Sequence, residues 1–278
     1  MNDAELAAWF AANRALLETA YLAGTEPWQQ SGFGLHSQRD AAQWAALRRP
    51  IADAIIRSGS FLDIGCANGY LLECVMDWLA ERGLTITPYG LDFADGLIAL
   101  ARQRLPHYAD QLFVGNAWDW SPPRRFDYVR VSLEYVPADL RAAFVARLLR
   151  DYLAPGGRLL VAEYRSRDNT TPALTIDADL RTLGFAVEAT THSYRDDEEF
   201  TRVAVVGQTS PPAPSHKVWE GGITGPADPL ALPSVLPSPR GGGAGGEGAG
   251  RRAGAQRCWR RTIGMFAAPR LRLQAGQM

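Results

Sequence analysis

The sequence has few of the residues that mark several protein classes. It contains one lysine, Lys217, three cysteines and four scattered histidines among 278 residues. The cysteines form no CxxC pair or disulfide framework, and the histidines show no metal-ligand spacing. No apolar run reaches the ~18 residues of a membrane-spanning helix, and the first residues, MNDAELAAWFAANR, carry acids where a signal peptide is basic. We therefore expect a reduced, cytoplasmic protein with no metal and no membrane segment.

Charge and composition change near Gly207. Up to that residue the net charge is −7, and from Gln208 on it is +6. The last 71 residues contain 13 glycines and 9 prolines. A segment of this composition cannot bury enough apolar surface to offset the loss of chain entropy on folding. We expect residues 208–278 to be a disordered tail; the alternatives are a basic arm that contacts nucleic acid or a partner, and out-of-frame translation. Because 28 of the 29 basic residues are arginine, we expect a GC-rich bacterial gene.

The N-terminal part is predicted to be helical. Asn2 and Glu5 form a capping box ahead of apolar residues that recur at helical spacing up to Tyr21. A loop follows, and residues 37–48 have a second helical pattern. Pro50 suits the first turn of a further short helix.

From residue 60 on, predicted strands and helices alternate. The strands are FLDIG, ITPYGLD, QLFVGN, RFDYVRVS, GRLLVAEY, GFAVEATT and TRVAVVG, and the helices lie at 70–82, 94–104, 137–151 and 174–183. Alternation favours parallel strands with helices on both faces, and the last two strands, with no helix between them, favour an antiparallel hairpin. We predict a doubly wound, Rossmann-like α/β fold with a seven-stranded sheet and an antiparallel last strand at 59–207, after a helical segment at 1–58.

The stretch FLDIGCANGY, residues 61–70, forms the first strand-to-helix turn, which is where such sheets bind ligands. Its glycines, Gly65 and Gly69, are four residues apart, so the G-x-G-x-x-G pattern of nicotinamide-binding folds is absent. A phosphate loop needs Gly-Lys-Ser/Thr, and the turn has no lysine. Asp63 would repel a phosphate, whereas it suits a cationic ligand such as one with an ammonium group.

The arrangement Asp63-x-Gly65-x-Ala67-x-Gly69 resembles motif I of the class I S-adenosylmethionine-dependent methyltransferases, acid-x-Gly-x-Gly-x-Gly. Ala67 departs from that motif by one methyl group. The resemblance extends over residues 60–207, because further segments stand in the family's positions. They are the acid that ends YGLD, the segment Asn116-Ala117-Trp118, the run LAPGGRLLVAEY and the terminal hairpin.

The resemblance implies that S-adenosyl-L-methionine is the cofactor. Asp92 would accept hydrogen bonds from the ribose hydroxyls, and Asn116, where the family usually has Asp, would accept one from the adenine amine. Trp118 would lie against the purine, unless it is plain core, and Asn68 either contacts the ligand or caps the next helix. The implied cofactor-binding residues are Ser31, Gly32, Asp63, Gly65, Cys66, Ala67, Gly69, Asp92, Phe93, Asn116, Ala117, Trp118 and Ser132.

In many small-molecule members of this family, a preceding helical segment covers the cofactor as a lid. Residues 1–58 take that place here, and Arg39 or Arg48 would be the counter-ion of the cofactor carboxylate. The alternative is an ordered loop with two surface arginines. Trp28, Phe33 and Trp44 would form an apolar roof over a small acceptor.

The loop after strand four, Ser132 to Pro137, takes the position at which members of this family bind the methyl acceptor. Glu134 and Tyr135 are the candidate catalytic residues, which would orient or deprotonate an amine or a hydroxyl; alternatively, Tyr135 packs and Glu134 caps the next helix. An acidic domain disfavours nucleic acid. We therefore expect methyl transfer to oxygen or nitrogen of a small molecule, the alternatives being an RNA methyltransferase with a basic tail and a non-catalytic cofactor-binding protein.

Overall fold

The capping box at Asn2 begins the first helix. In the computed structural model, which describes residues 2–32, 40–165, 173–195 and 197–207, α1 spans Asp3–Leu22. The Asn2 side chain accepts a hydrogen bond from the Glu5 N–H, and the Glu5 carboxylate accepts one from the Asn2 N–H, both at 2.9 Å. None of the residues of α1 is fully buried, so this helix lies on the surface of the domain.

The second helix runs through Pro50 and does not restart there, so the prediction of two helices is wrong. α2 spans Ala41–Asp53 and begins at Asp40, whose carboxylate accepts a hydrogen bond from the Gln43 N–H at 2.8 Å. Proline removes one N–H from the helix, but burial of Trp44 and Ile51 outweighs that loss. Residues 37–39 of the predicted helix lie outside the described residues.

A seven-stranded sheet forms the centre of the domain, which confirms the predicted fold class. Its order is β3-β2-β1-β4-β5-β7-β6; β1 to β5 are parallel, and β7 runs antiparallel to both β5 and β6. The strands are β1 Gly59–Ile64, β2 Ile86–Asp92, β3 Leu112–Val114, β4 Phe126–Val131, β5 Leu153–Tyr164, β6 Val187–Arg195 and β7 Glu198–Gly207.

The remaining helices cover both faces of this sheet. They are α3 Tyr70–Ala80, α4 Asp95–Arg104, α5 Arg141–Arg147 and α6 Ile176–Thr182. Buried side chains of α2, α3 and α4 form one apolar cluster with the sheet, and those of α5 and α6 form a second on the opposite face. Within the described ranges, no helix is long and apolar enough to cross a membrane. The predicted tail, 208–278, lies outside the described residues, and the boundaries at 58 and 207 stay a prediction.

Two segments differ locally from the prediction. The Pro155–Gly157 turn is part of β5, where the pairing with β4 shifts register between Phe126 and Tyr128. Such a bulge accommodates extra residues in one strand without ending it. The predicted helix at 137–151 is divided into a 3-10 turn at Ala138–Leu140, α5, and a π-helical turn at Leu148–Tyr152.

The π-helical turn places Tyr152 beneath the loop between β3 and β4. Its hydroxyl lies 3.0 Å from the Ala117 carbonyl oxygen and 2.9 Å from that of Trp120. Burial raises the pKa of Tyr152 to about 12, so the hydroxyl remains a donor at neutral pH. This contact fixes the loop that forms one wall of the site described below.

Replacing Tyr152 with Phe should therefore lower the free energy of unfolding by about 1–2 kcal/mol, because a buried carbonyl loses its donor. Urea denaturation measures the change. Tyr194→Phe, at a position that is 63% exposed, is the matched control and should leave stability unaltered. Equal stability of the two variants would contradict an anchoring role for Tyr152.

Candidate functional site

A cavity of about 720 Å³ lies at the carboxyl ends of the parallel strands. Its floor comes from the ends of β1 and β2, one wall from the loops that follow β3 and β4, and its roof from α1. This is the position at which α/β sheets of this kind bind ligands. Most of the predicted site residues line this cavity: Ser31, Gly32, Asp63, Gly65, Ala67, Asp92, Phe93, Asn116, Ala117, Glu134 and Tyr135.

The glycine turn folds tightly against the end of β2. The N–H groups of Gly65 and Cys66 both donate to the Leu91 carbonyl, at 2.7 and 3.2 Å. Gly65 has φ +75°, and a Cβ there would lie 2.5 Å from the Tyr135 hydroxyl oxygen, so only glycine fits. Ala67 has φ +47°, a conformation that costs a residue with a Cβ on the order of 1–2 kcal/mol.

Asp92 connects the ends of β1 and β2. One carboxylate oxygen accepts a hydrogen bond from the Ala67 N–H and the other accepts one from the Ala94 N–H, both at 2.9 Å. The residue is 6% exposed, and burial raises the pKa of its carboxyl to about 6 although both N–H donors lower it. Each oxygen keeps a lone pair for a further donor.

Asp63 is fully buried and only half paired. Its Oδ1 accepts a hydrogen bond from Arg130 Nη1 at 3.2 Å. Its Oδ2 is buried and has no hydrogen-bond partner among the described residues. Burial raises the pKa of Asp63 to about 6, against the opposing charge of Arg130. An orphaned carboxylate oxygen beside a cavity is suited to a cationic donor.

Arg130, which was not among the predicted site residues, lies in the wall of the cavity beside Asp63. It lies on β4 directly opposite Asp63 of β1 in the parallel register. Besides Asp63 it donates to the Tyr135 hydroxyl at 3.1 Å and, through Nη2, to the Tyr164 hydroxyl at 2.9 Å. The signal was an arginine near the carboxyl end of the mainly apolar strand FDYVRV, since buried arginines need several acceptors.

Arg48 supplies a second buried guanidinium. It lies on α2, is 7% exposed, and stacks over the Tyr164 ring with 4.0 Å between Cζ and the ring centroid. It lines the cavity and makes no hydrogen bond or ion pair with another described residue. Of the two arginines predicted as counter-ions, Arg48 thus faces the cavity, and Arg39 lies outside the described residues.

Four predicted residues do not line the cavity. Gly69 faces Ala101 and Leu105 of the neighbouring helix, and Cys66 points under the sheet toward Gly90. Trp118 packs on Phe144, with 6.5 Å between ring centroids. The Ser132 carbonyl accepts from the Tyr135 N–H, and its side chain is buried.

The Asn68 side chain caps the start of α3, which is one of the two roles considered for it in the sequence. Its carbonyl oxygen accepts from the Tyr70 N–H at the start of α3, and its amide donates to the Pro27 carbonyl at 3.0 Å and to Gln30. The side chain therefore fixes the loop that carries Ser31 and Gly32 above the glycine turn.

The apolar roof is not the predicted one. Trp44 is fully buried in the core, where its indole N–H donates to the Ser31 carbonyl at 2.8 Å. Trp28 packs against the same cluster, and Phe33 lies outside the described residues. The roof is instead built by α1, because its apolar face turns toward the cavity; the residues are Trp9, Phe10, Leu16 and Leu17.

The two candidate catalytic residues differ in environment. Burial raises the pKa of Tyr135 above its ordinary value, so at neutral pH its phenol is protonated and acts as a donor, not as a base. Glu134 is exposed at the edge of the cavity. Among the described residues, no group of three His, Cys, Asp or Glu side chains could hold a metal ion.

The sheet order, the antiparallel β7 and the acid-bearing glycine turn define the fold of the class I methyltransferases. Residues 35–204 match the family described as a methyltransferase domain. The chain belongs to that family, which confirms the resemblance found in the sequence.

Known relatives match parts of the chain. It is 31% identical over 131 residues to the trans-aconitate 2-methyltransferase of Methylobacterium nodulans. The matched segment covers 44% of this chain and 48% of the relative. It is 35% identical over 103 residues to the enzyme of that name from Acidovorax sp. strain JS42, 36% of each chain. The chain thus spans less than half the length of these curated relatives.

A solved structure covers more of the chain. The magnesium protoporphyrin IX methyltransferase from Synechocystis PCC 6803, crystallised with bound SAM, is 16% identical, with a TM-score of 0.49. The match covers 72% of this chain and 97% of that one.

The buried carboxyl of Asp92 should make stability depend on pH. Its pKa is about 6 in the folded protein against an ordinary 3.8, so between pH 4 and 6 the folded state binds more protons than the unfolded state. Its contribution to stability therefore falls as pH rises through that window. Two pK units correspond to about 3 kcal/mol.

Asp92→Asn removes this titration, so the stability of the variant relative to wild type should rise by up to about 3 kcal/mol between pH 4 and pH 7. Denaturant unfolding at each pH measures the difference, and losing one backbone acceptor only adds a constant offset. Asp110→Asn, at an exposed position, should show a much smaller change. A pH-independent difference for Asp92→Asn would refute the assignment of a raised pKa.

Proposed function

We propose that the chain transfers a methyl group from S-adenosyl-L-methionine to a small-molecule acceptor, as a cytoplasmic enzyme of a bacterium. Membership of the methyltransferase-domain family supports the reaction class. The observation that carries the proposal is the unpartnered Asp63 Oδ2 beside the cavity at the glycine turn. A ligand with an ammonium group supplies the donor that this oxygen lacks.

The other polar groups of the cavity fit the remaining parts of the cofactor. Asp92 offers acceptor lone pairs for the ribose hydroxyls, and Arg48 offers a cation for the carboxylate. Asn116 Oδ1 accepts from the Trp118 N–H at 3.0 Å, which fixes this side chain and leaves a lone pair for the adenine amine. Gly65 has no Cβ, which lets the Tyr135 hydroxyl pack against the glycine turn at the edge of this site.

When bound, the cofactor supplies a methyl group on a positively charged sulfur, already activated for attack. The chain has to hold the acceptor in line with that group and keep water away. The roof of α1 and the buried walls would shield a bound acceptor from water, and the C-terminal part of this helix is tied to α4. Glu18 accepts from the Gly96 N–H at 3.0 Å, and Arg14 pairs with Asp95.

A small acceptor fits the size and lining of the cavity. The curated relatives are named for a small acid, and none of the relatives named above is an RNA methyltransferase. The acidic charge of the domain, −7 up to Gly207, also opposes a polyanionic substrate.

Asp92→Ala should weaken binding of S-adenosylhomocysteine by about 1–3 kcal/mol, because the ribose hydroxyls lose a charged acceptor. Isothermal titration calorimetry measures the dissociation constant. Asp139→Ala, an exposed acid on the rim of the fold, is the control and should bind like wild type. Wild-type affinity in Asp92→Ala would remove Asp92 from the cofactor site.

The binding should also weaken as pH falls. Asp63 and Asp92 have pKa values of about 6 in the free protein, and the ligand needs both ionised. Affinity should thus be pH-independent above pH 7 and should fall about tenfold per carboxyl for each pH unit below 6. Calorimetry between pH 5 and pH 8 tests this, and an affinity that stays constant down to pH 5 would be incompatible with the proposed site.

A further inference from the structure

We propose that Tyr135 and Tyr164, held by Arg130, bind the carboxylate of an anionic acceptor, so that the chain methylates a carboxylic acid on oxygen. This inference rests on the proposed function and names the chemical class of its acceptor. It is carried by two hydrogen bonds on one wall of the cavity, from Arg130 to the two phenol oxygens, each of which leaves a phenol proton free to face the interior.

The first step is the orientation of the two hydroxyls. Arg130 has only N–H donors, so both phenol oxygens act as acceptors toward it, at 3.1 and 2.9 Å. Each phenol proton must then point away from the guanidinium. Neither hydroxyl donates to another described residue, although both side chains line the cavity. The pair is thus arranged to donate to a ligand.

The second step is the place of this pair next to the glycine turn. The Tyr135 hydroxyl oxygen would lie 2.5 Å from a Cβ at Gly65, and Arg130 also contacts Asp63 Oδ1 and the Ile64 carbonyl at 3.2 Å. The hydroxyls therefore lie beside the part of the cavity that we assign to the amino-acid end of the cofactor, where the methyl group is presented.

The third step is the charge of the acceptor. Three guanidinium groups line this cavity, those of Arg48, Arg130 and Arg165. Arg130 is paired with Asp63 and Arg165 with Glu198, at 3.2 and 3.0 Å, and Arg48, which has no acidic partner among the described residues, is assigned above to the cofactor carboxylate. The groups left for the acceptor are therefore the two phenol donors that Arg130 polarises. An ammonium acceptor would meet donors and cations here, and a carboxylate would meet complementary groups.

A carboxylate also removes the need for a base. A hydroxyl acceptor has to lose a proton, but the Tyr135 phenol is protonated at neutral pH, and Asp63 and Asp92 are assigned to the cofactor. The remaining acid of the lining, Glu134, is exposed at the edge of the cavity. A carboxylate is already ionised. One of its oxygens forms a bond to the methyl carbon as the carbon–sulfur bond breaks, the electron pair stays on sulfur, and no proton is transferred. The product is a methyl ester.

The roof of α1 suggests where the rest of the acceptor lies. Trp9 and Phe10 pack edge to face, with 5.2 Å between ring centroids, and they line the cavity together with Leu16 and Leu17. A carbon skeleton would be buried against this apolar face while the carboxylate meets the phenols. An aromatic monocarboxylate and a polycarboxylate share this chemistry, and the experiment separates them.

The test uses the full chain and cofactor labelled in its methyl group. One arm offers benzoate and phenylacetate, a second offers trans-aconitate and citrate, and a third offers benzylamine and catechol as non-carboxylate acceptors. Mild alkali hydrolyses a methyl ester to volatile methanol, whereas N-methyl and aryl O-methyl products resist it. We expect alkali-labile label in the first or second arm, and the arm that gives it identifies the source.

Tyr164→Phe provides the structural test. It should raise the KM of the carboxylate acceptor about tenfold, and weaken binding of that carboxylate to the protein loaded with S-adenosylhomocysteine by a similar factor. The affinity for S-adenosylhomocysteine itself should be unchanged. Tyr135→Phe should act in the same direction, and the exposed Tyr194→Phe is the control.

Three results would overturn the inference. The first is label in alkali-stable products only, and the second is tight binding of S-adenosylhomocysteine with no label on any carboxylate. The third is a loss of S-adenosylhomocysteine affinity in Tyr164→Phe, which would mean that the hydroxyls bind the carboxylate of the cofactor instead. A wild-type chain that does not bind S-adenosylhomocysteine at all would overturn the proposed function as well, so the two failures are distinguishable.

Discussion

The pairing of Asp63 with Arg130 is the interaction on which the rest of the site depends. A fully buried carboxylate is strongly destabilising without a partner, and removing one member of such a pair leaves an uncompensated charge. Arg130 compensates Asp63 from the adjacent strand, at 3.2 Å, but reaches only one of its oxygens. The fold thus keeps a carboxylate out of water while leaving half of its hydrogen-bonding capacity for a ligand.

The backbone around this pair determines where its partners lie. Parallel pairing places Asp63 of β1 beside Arg130 of β4, and the glycine turn then leads from β1 across to the end of β2. There Asp92 accepts the Ala67 N–H, so the two acids are connected through the turn itself. Because these contacts are made by neighbouring strand ends, the geometry of the site follows from the sheet order and not from mobile side chains.

The sequence predicted the parts of the site that local spacing determines. Strand, glycine turn and acid follow one another within a few residues, and such patterns specify both the sheet and the acids that end β1 and β2. Contacts between distant segments were not predictable in this way: Arg130 meets Asp63 over 67 positions. The prediction that Trp28 and Trp44 cover the acceptor failed for the same reason. An aromatic residue such as Trp44 indicates burial in the sequence, but not which surface it packs against.

Ionisation and folding impose opposite demands on the two acids. Burial raises the pKa of both carboxyls to about 6, so below that pH the empty site favours their protonated forms, whereas a cationic ligand favours the charged forms. Below pH 6, ligand binding therefore restores ionisation that burial has made unfavourable, and part of the intrinsic affinity is used to do so. Arg130 reduces that cost at Asp63, and the two N–H donors reduce it at Asp92. An analogue without the ammonium group would leave Asp63 Oδ2 without a donor, so the site selects its ligand by charge as well as by shape.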